Sequence, residues 1–176
     1  VWGIDDTLVL ITSDHGEAFG EHGRYGHPDV MYDEVTRVPF AVRSPNREGK
    51  SINIPISGID ILPTLLAEAD LSYDQELVGK SVFEVEEDER YVFTHTGSPE
   101  EGAVMATDGK WKLIAEQSTE TVELYNLKDD PGETTDLSSK CDGIVAEFID
   151  EIDHQIRNSE LSQNRQKARK CLTMLK

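Results

Sequence analysis

The stretch TLVLITSDHGEAFGEHGRYGHPDVMYDEVTRVPF, residues 7–40, decides the fold. It opens on a continuous apolar run from Thr7 to Thr12, one strand in length. Such a run suits a central parallel strand covered on both faces. Asp14 and His15 follow where the strand ends, and Gly16 then lets the backbone turn with positive φ. In open parallel α/β sheets, ligands bind outside the carboxyl ends of the strands. Adjacent side chains point to opposite faces within a strand, but at a sharp turn they can converge. An Asp-His pair placed there can hold one divalent cation, by carboxylate oxygen and imidazole nitrogen. By spacing alone, a loop with a capping Asp fits the same residues. Two ligands are also too few for a tight site, so further ligands must come from elsewhere. His22 and His27 lie close by in sequence and strengthen the metal reading; Glu17 and Glu21 read as solvated.

Outward from this stretch, Val30 to Thr36 suits a short helical turn and Val38 to Arg43 a second buried strand. Pro39 belongs at that strand's start, because proline cannot donate in a central ladder. Ile59 to Ala69 reads as a helix, with Ile59, Leu62, Leu65, Leu66 and Ala69 spaced by threes and fours. Pro63 marks its start or a kink. Strand, loop, strand, helix is the alternation of an α/β layer. From about residue 85 the texture changes. Arg90–Thr94, Gly102–Thr107, Trp111–Ala115 and Thr121–Tyr125 are short strand candidates, and Asp108-Gly109 is a hairpin turn between the second and third. Gly143 to Arg157 is an amphipathic helix with Val145, Phe148, Ile149, Ile152 and Ile156 on one face. The expected organisation is an α/β layer over residues 1–84, a small α+β subdomain over 85–158, and a polar, basic, frayed tail over 159–176.

Composition bounds the function. The chain has 176 residues and a net charge of −18. That charge disfavours nucleic acid, whose phosphates need a basic surface. It suits a high-salt habitat or simple solubility. The tail opposes the trend: residues 161–176 contain Arg165, Lys167, Arg169, Lys170 and Lys176 and no acid. No apolar run approaches the roughly 20 residues of a membrane helix. Cys141 and Cys171 sit in no CxxC and beside no His, and read as ordinary thiols. The chain begins Val1-Trp2-Gly3 without a methionine and reads as the downstream part of something longer or as a processed product, which leaves localisation open, cytoplasmic or exported.

Residues 7–40 resemble the sulfatase family of the alkaline-phosphatase-like superfamily, in which an apolar strand leads to T-S-D-H-G, G-E-H-G, a Lys or His, and R-V-P. GIDILPTLL (58–66), LVGKSV (77–82), DGKWKLI (108–114) and ELYNLKDDPGETTDL (123–137) are similar to the family's later motifs, in the same order. The fold class this implies is α/β: the C-terminal part of a sulfatase fold, a parallel-sheet segment plus a small antiparallel-sheet subdomain with a C-terminal helix. The resemblance implies Asp14 and His15 as metal ligands, with Ca2+ the usual ion and Mn2+ the alternative. It implies His27 as the residue that contacts the sulfate and protonates the departing alcohol. His95, in THTGSPE, becomes a candidate for substrate binding. His22 is expected to support its loop, Tyr32 to pack, Arg37 to anchor its strand through Asp33 or Glu34, and His154 to lie on the surface. The implied substrate is a sulfated small molecule or glycan. In the family the nucleophile is a formylglycine made from Cys in C-x-P-x-R; its hydrate attacks sulfur while the metal neutralises charge on the ester oxygens.

The sequence departs from that pattern in what it lacks. It contains no C-x-P-x-R and no S-x-P-x-R, so no residue of this chain is the nucleophile. The family's N-terminal Asp-Asp metal pair is also absent. Asp5-Asp6 precedes the strand that Asp14 follows, more than roughly 15 Å away at about 3.3 Å per residue, and is rejected as a ligand pair. The formylglycine, the other metal ligands and the first strands of the sheet are therefore expected in a missing N-terminal half. An α/β sheet cut this way exposes apolar edges and faces. Two other readings remain. One is a phosphodiesterase, phosphonate hydrolase or phosphoethanolamine-type transferase of the same superfamily, which differs mainly at the nucleophile. The other is a non-catalytic remnant or assembly partner.

Overall fold

The computed structural model describes residues 3–74, 76–85, 90–96 and 102–174, those from 159 onward as backbone alone. The first strand, β1 (Val9–Thr12), occupies the apolar run and pairs with β4 (Phe40–Arg43). Between them lie a two-residue hairpin, β2 (Ala18–Phe19) with β3 (Tyr25–Gly26), and a single helical turn, α1 (Asp33–Thr36). β1 and β4 run antiparallel, with Val9 opposite Arg43 and Thr12 opposite Phe40. The parallel pairing expected of this layer is thus corrected for these two strands. The segment joining them holds a hairpin and the four-residue α1 but no helix long enough to pack across the sheet as the crossover of a parallel return. Nor is β1 covered on both faces within this chain, since Ile11 stays 60% exposed.

Next comes α2 (Ile61–Glu68). Pro63 stands in its first turn, where the backbone N–H has no intrahelical acceptor to lose. The helix is entered through a 3-10 turn, Gly58–Asp60, closed by a reciprocal pair of bonds between Ser57 and Asp60. Asp60 is fully buried. Its carboxylate accepts from the N–H of Ser57 at 2.8 Å and of Lys80 at 3.0 Å, and pairs with Arg90 at 2.7 Å. One acid thereby fastens α2 to the loop behind it and to the approach to the second sheet.

That sheet is a four-stranded antiparallel meander, β5 (Val92–His95), β6 (Ala103–Thr107), β7 (Trp111–Glu116) and β8 (Thr121–Asn126). Asp108 organises the β6–β7 turn by accepting from Lys110 N and Trp111 N, and Gly109 takes φ +89°. Strand alternation gives the sheet two apolar faces. On one, Val104, Ala106, Leu113 and Leu124 pack against Phe148 and Ile152 of α3 (Asp142–Met174). On the other, Met105, Ile114 and Tyr125 pack against Met31, which precedes α1. This second contact seats the segment after Asp14-His15 directly on the meander. α3 also runs through the residues expected as a frayed tail. No Gly or Pro occurs from 158 to 174 to break it. Among the described residues no helix is long and apolar enough to cross a membrane.

Candidate functional site

Beyond β1 the backbone turns at Gly16, whose N–H donates to Val35 O at 2.8 Å. A side chain there would place Cβ 2.1 Å from Glu34 O, so only glycine lets α1 approach this closely. The turn leaves Asp14 and His15 side by side and accessible, with Asp14 Oδ2 3.7 Å from His15 Nε2. His15 Nδ1 lies 2.8 Å from Gly16 O. A carbonyl only accepts, so Nδ1 carries a proton, and Nε2 is the ring nitrogen placed to ligate a metal beside the carboxylate. Two lone-pair donors facing one another are what a cation bridges. Their 3.7 Å spacing suits both binding one ion at roughly 2.0–2.6 Å. The pair therefore fits a divalent metal as two ligands of a larger set. Among the described residues no group of three or more His, Cys, Asp or Glu converges as a complete metal site. The Asp14 carboxyl titrates below the usual range, held there by its own backbone N–H, the His15 ring and the His15 N–H.

His27 arrives from the other side. It follows β3, and its ring centroid lies 3.8 Å from that of His15, tilted by 47°. Three of the residues expected to act, Asp14, His15 and His27, are thus together. His95 is the exposed last residue of the edge strand β5, not in a loop; residues 97–101 of its THTGSPE neighbourhood lie outside the described residues. Asp5 pairs with Arg43 at 3.2 Å instead of joining the site.

The side chains of His22 and Glu34 are more deeply set than those of Asp14 and His15. His22 Nδ1 is 2.8 Å from Glu34 Oε1, and Nε2 is 3.0 Å from Glu133 O. Its ring stacks on Tyr32 at 3.7 Å and 8°. Tyr32 donates to Glu123 at 3.0 Å, and burial followed by that carboxylate pushes its hydroxyl up to about 12. Arg37 pairs with Asp33 at 3.5 Å while Glu34 serves His22, which resolves the two partners expected for Arg37. His154 is exposed and contacts Asn158. Sequence reasoning missed Lys112 and Glu133. Lys112 is fully buried, with Nζ 2.8 Å from both Asp33 Oδ1 and Glu133 Oε1. The Glu133 contact is a close ion pair without hydrogen-bond alignment. Glu133 Oε2 also accepts from Asp33 N at 2.6 Å, binding α1 to the turn after β8. The charges at 33, 112 and 133 lie too far apart in sequence for any local pattern to join them.

The fold as a whole superposes on solved sulfatases of the alkaline-phosphatase-like fold. A 2-O GAG sulfatase superposes with TM-score 0.76 at 27% identity, over 87% of this chain and 36% of that one. The profile of the N-sulphoglucosamine sulphohydrolase C-terminal family matches residues 20–162, and the chain belongs to that family. The uncharacterized sulfatase YidJ of Escherichia coli K12 is 32% identical over 90% of this chain and 35% of that protein. The phosphonate monoester hydrolase of Agrobacterium radiobacter shares the fold, with TM-score 0.68 at 24% identity over 88% of this chain and 36% of that one. The chain thus spans about a third of the length of the relatives it matches.

Proposed function

We propose that this chain is the C-terminal part of a sulfatase, furnishing one side of an active site completed by sequence upstream. The observation that carries the reading is the convergence of Asp14, His15 and His27 beyond the end of β1. Asp14 and His15 hold a divalent cation, most simply Ca2+, with Mn2+ the alternative given an imidazole ligand. That ion, when bound, draws charge from the oxygens of the sulfate ester. His27 lies beside the metal ligands without being needed as one, and its exposed ring can contact the sulfate and protonate the departing alcohol. His95 lines the substrate approach. The nucleophile, a formylglycine, and the remaining ligands belong to the upstream part. The apolar surface left open by Ile11, Ile59, Leu62 and Val78 supports the same reading, because it is surface that an upstream half would cover. The substrate is a sulfated small molecule or glycan.

The test uses the complete polypeptide. Asp14→Ala and His15→Ala each lower turnover of an aryl sulfate by at least about a hundredfold and reduce bound metal measured by mass spectrometry. Unchanged turnover in either variant rules the reading out. The phosphonate hydrolase that shares the fold motivates a second reading, hydrolysis of a phosphonate or phosphate ester at the same residues. Comparing kcat/KM for paired sulfate and phosphonate esters with one leaving group decides between them.

A further inference from the structure

His22 is assigned neither to the metal nor to the substrate in the proposed site, yet its ring is held on both sides. Both its ring nitrogens face groups that only accept: the Glu34 carboxylate at Nδ1 and the Glu133 carbonyl at Nε2. A neutral imidazole has one N–H and can satisfy only one of them. Both side chains of the ion pair are largely shielded, His22 at 18% and Glu34 at 10% exposure, so water is a poor substitute partner. The backbone adds a second observation. His22 sits in the left-handed region at φ 49°, between Gly20 and Gly23 at φ 126° and 68°. A non-glycine residue persists there when its surroundings over-determine it. Here two hydrogen bonds and the stack on Tyr32 do so.

We infer that His22 is a positioning residue that works as an imidazolium, its two N–H groups pinning the loop that carries His27 to α1 and to the turn after β8. The catalytic half of this inference rests on the sulfatase reading; the protonation half does not. Glu34 is the hub. Its backbone carbonyl lies against Gly16, immediately after His15, while its carboxylate holds His22, five residues before His27. One residue thus sets the metal ligands and the acid relative to each other. The titratable groups facing the His22 ring are Glu21 from its own turn, Tyr32 and Glu34 around α1, and Asp130 and Glu133 from the C-terminal turn. None is a cation. Burial lowers the tendency of His22 to charge, but the Glu133 carbonyl and Glu34 together outweigh it and hold the ring above its ordinary value. The charged form is therefore favoured below that raised value, and one of its two bonds is lost as pH rises through it.

The experiment is nitrogen NMR of the histidine rings in the complete polypeptide, paired with pH-rate profiles. At pH 7.5, His22 shows two protonated ring nitrogens. Glu34→Gln, whose amide N–H can donate to a bare Nδ1, turns it neutral at the same pH. His22→Gln lowers kcat roughly 10- to 100-fold with KM within about threefold, the signature of a misplaced acid and not of weakened binding. Loss of the His22 charge adds a limb at high pH to the parent's profile that both variants lack. A neutral His22 at pH 7.5, or the proton residing on Glu34, overturns the inference whatever the enzyme hydrolyses. So does a charged His22 whose replacement leaves kcat and the profile unchanged. If no ester is turned over, the sulfatase reading falls and positioning is judged by ring contacts alone. His15–His27 cross-peaks that survive in both variants then overturn it.

Discussion

Replacing Lys112 by Met removes the buried positive charge that faces both Asp33 and Glu133 across the seam between α1 and the meander. Lys112 is fully buried and Glu133 1% exposed at its side chain, whereas Asp33 is 21% exposed. Breaking a buried ion pair by removing one partner costs about 3–5 kcal/mol, because the other charge is left uncompensated. Here Asp33 keeps some water, so the lower end applies, about 3 kcal/mol. Met restores most of the volume, so the loss is electrostatic and not a cavity. Chemical denaturation of the complete polypeptide measures it at pH 7.5. Two companion results follow from the same geometry. Burial pushes the Glu133 carboxyl up even against the attraction of Lys112, and without Lys112 it rises further. The folded variant then binds a proton more readily than the unfolded chain, so its stability deficit shrinks as pH falls. Lys112→Met with Glu133→Gln recovers part of the loss at neutral pH, since no buried anion remains. A cost under about 1 kcal/mol, the scale of a surface pair, refutes the argument. So does a double variant no more stable than the single one.

Other outcomes test separate parts of the site. His27→Ala lowers kcat by about 10²–10⁴, most for alkyl sulfates with basic leaving groups and least for nitrophenyl sulfate; equal losses for both remove its role as the acid. Gly16→Ala, with Cβ 2.1 Å from Glu34 O, displaces α1 or the Asp14-His15 turn, so metal affinity falls although no ligand is changed; parent affinity in a titration contradicts this. Asp136 accepts from Leu124 N, Ser138 N and Ser138 Oγ, and although burial opposes it, these bonds hold its carboxyl below the usual range. Its stabilisation is therefore present above the ordinary value of 3.8 and lost as pH falls through the depressed one. Asp136→Asn accordingly flattens the acid end of the stability curve, and an unaltered curve below pH ~4 counts against it.

Local sequence determined the elements and the chemistry of the opening turn. The apolar run before Asp14, the glycine after His15, the Asp108-Gly109 hairpin and the apolar stripe of Phe148 and Ile152 each act within a few residues, through backbone sterics and side-chain period. They are legible because one window contains both cause and effect. The order of motifs from 7 to 137 carried the family as well. Tertiary structure decided what depends on distant residues. It made β1 and β4 antiparallel, since pairing direction follows from the path between strands and not from either strand's composition. It seated Met31 against the far face of the meander, so that the site loop rests on the C-terminal sheet. It joined Asp33, Lys112 and Glu133, and gave His22 partners 12 and 111 residues away. A histidine's proton count is set by the acceptors that surround it, and those acceptors meet only when the chain has folded.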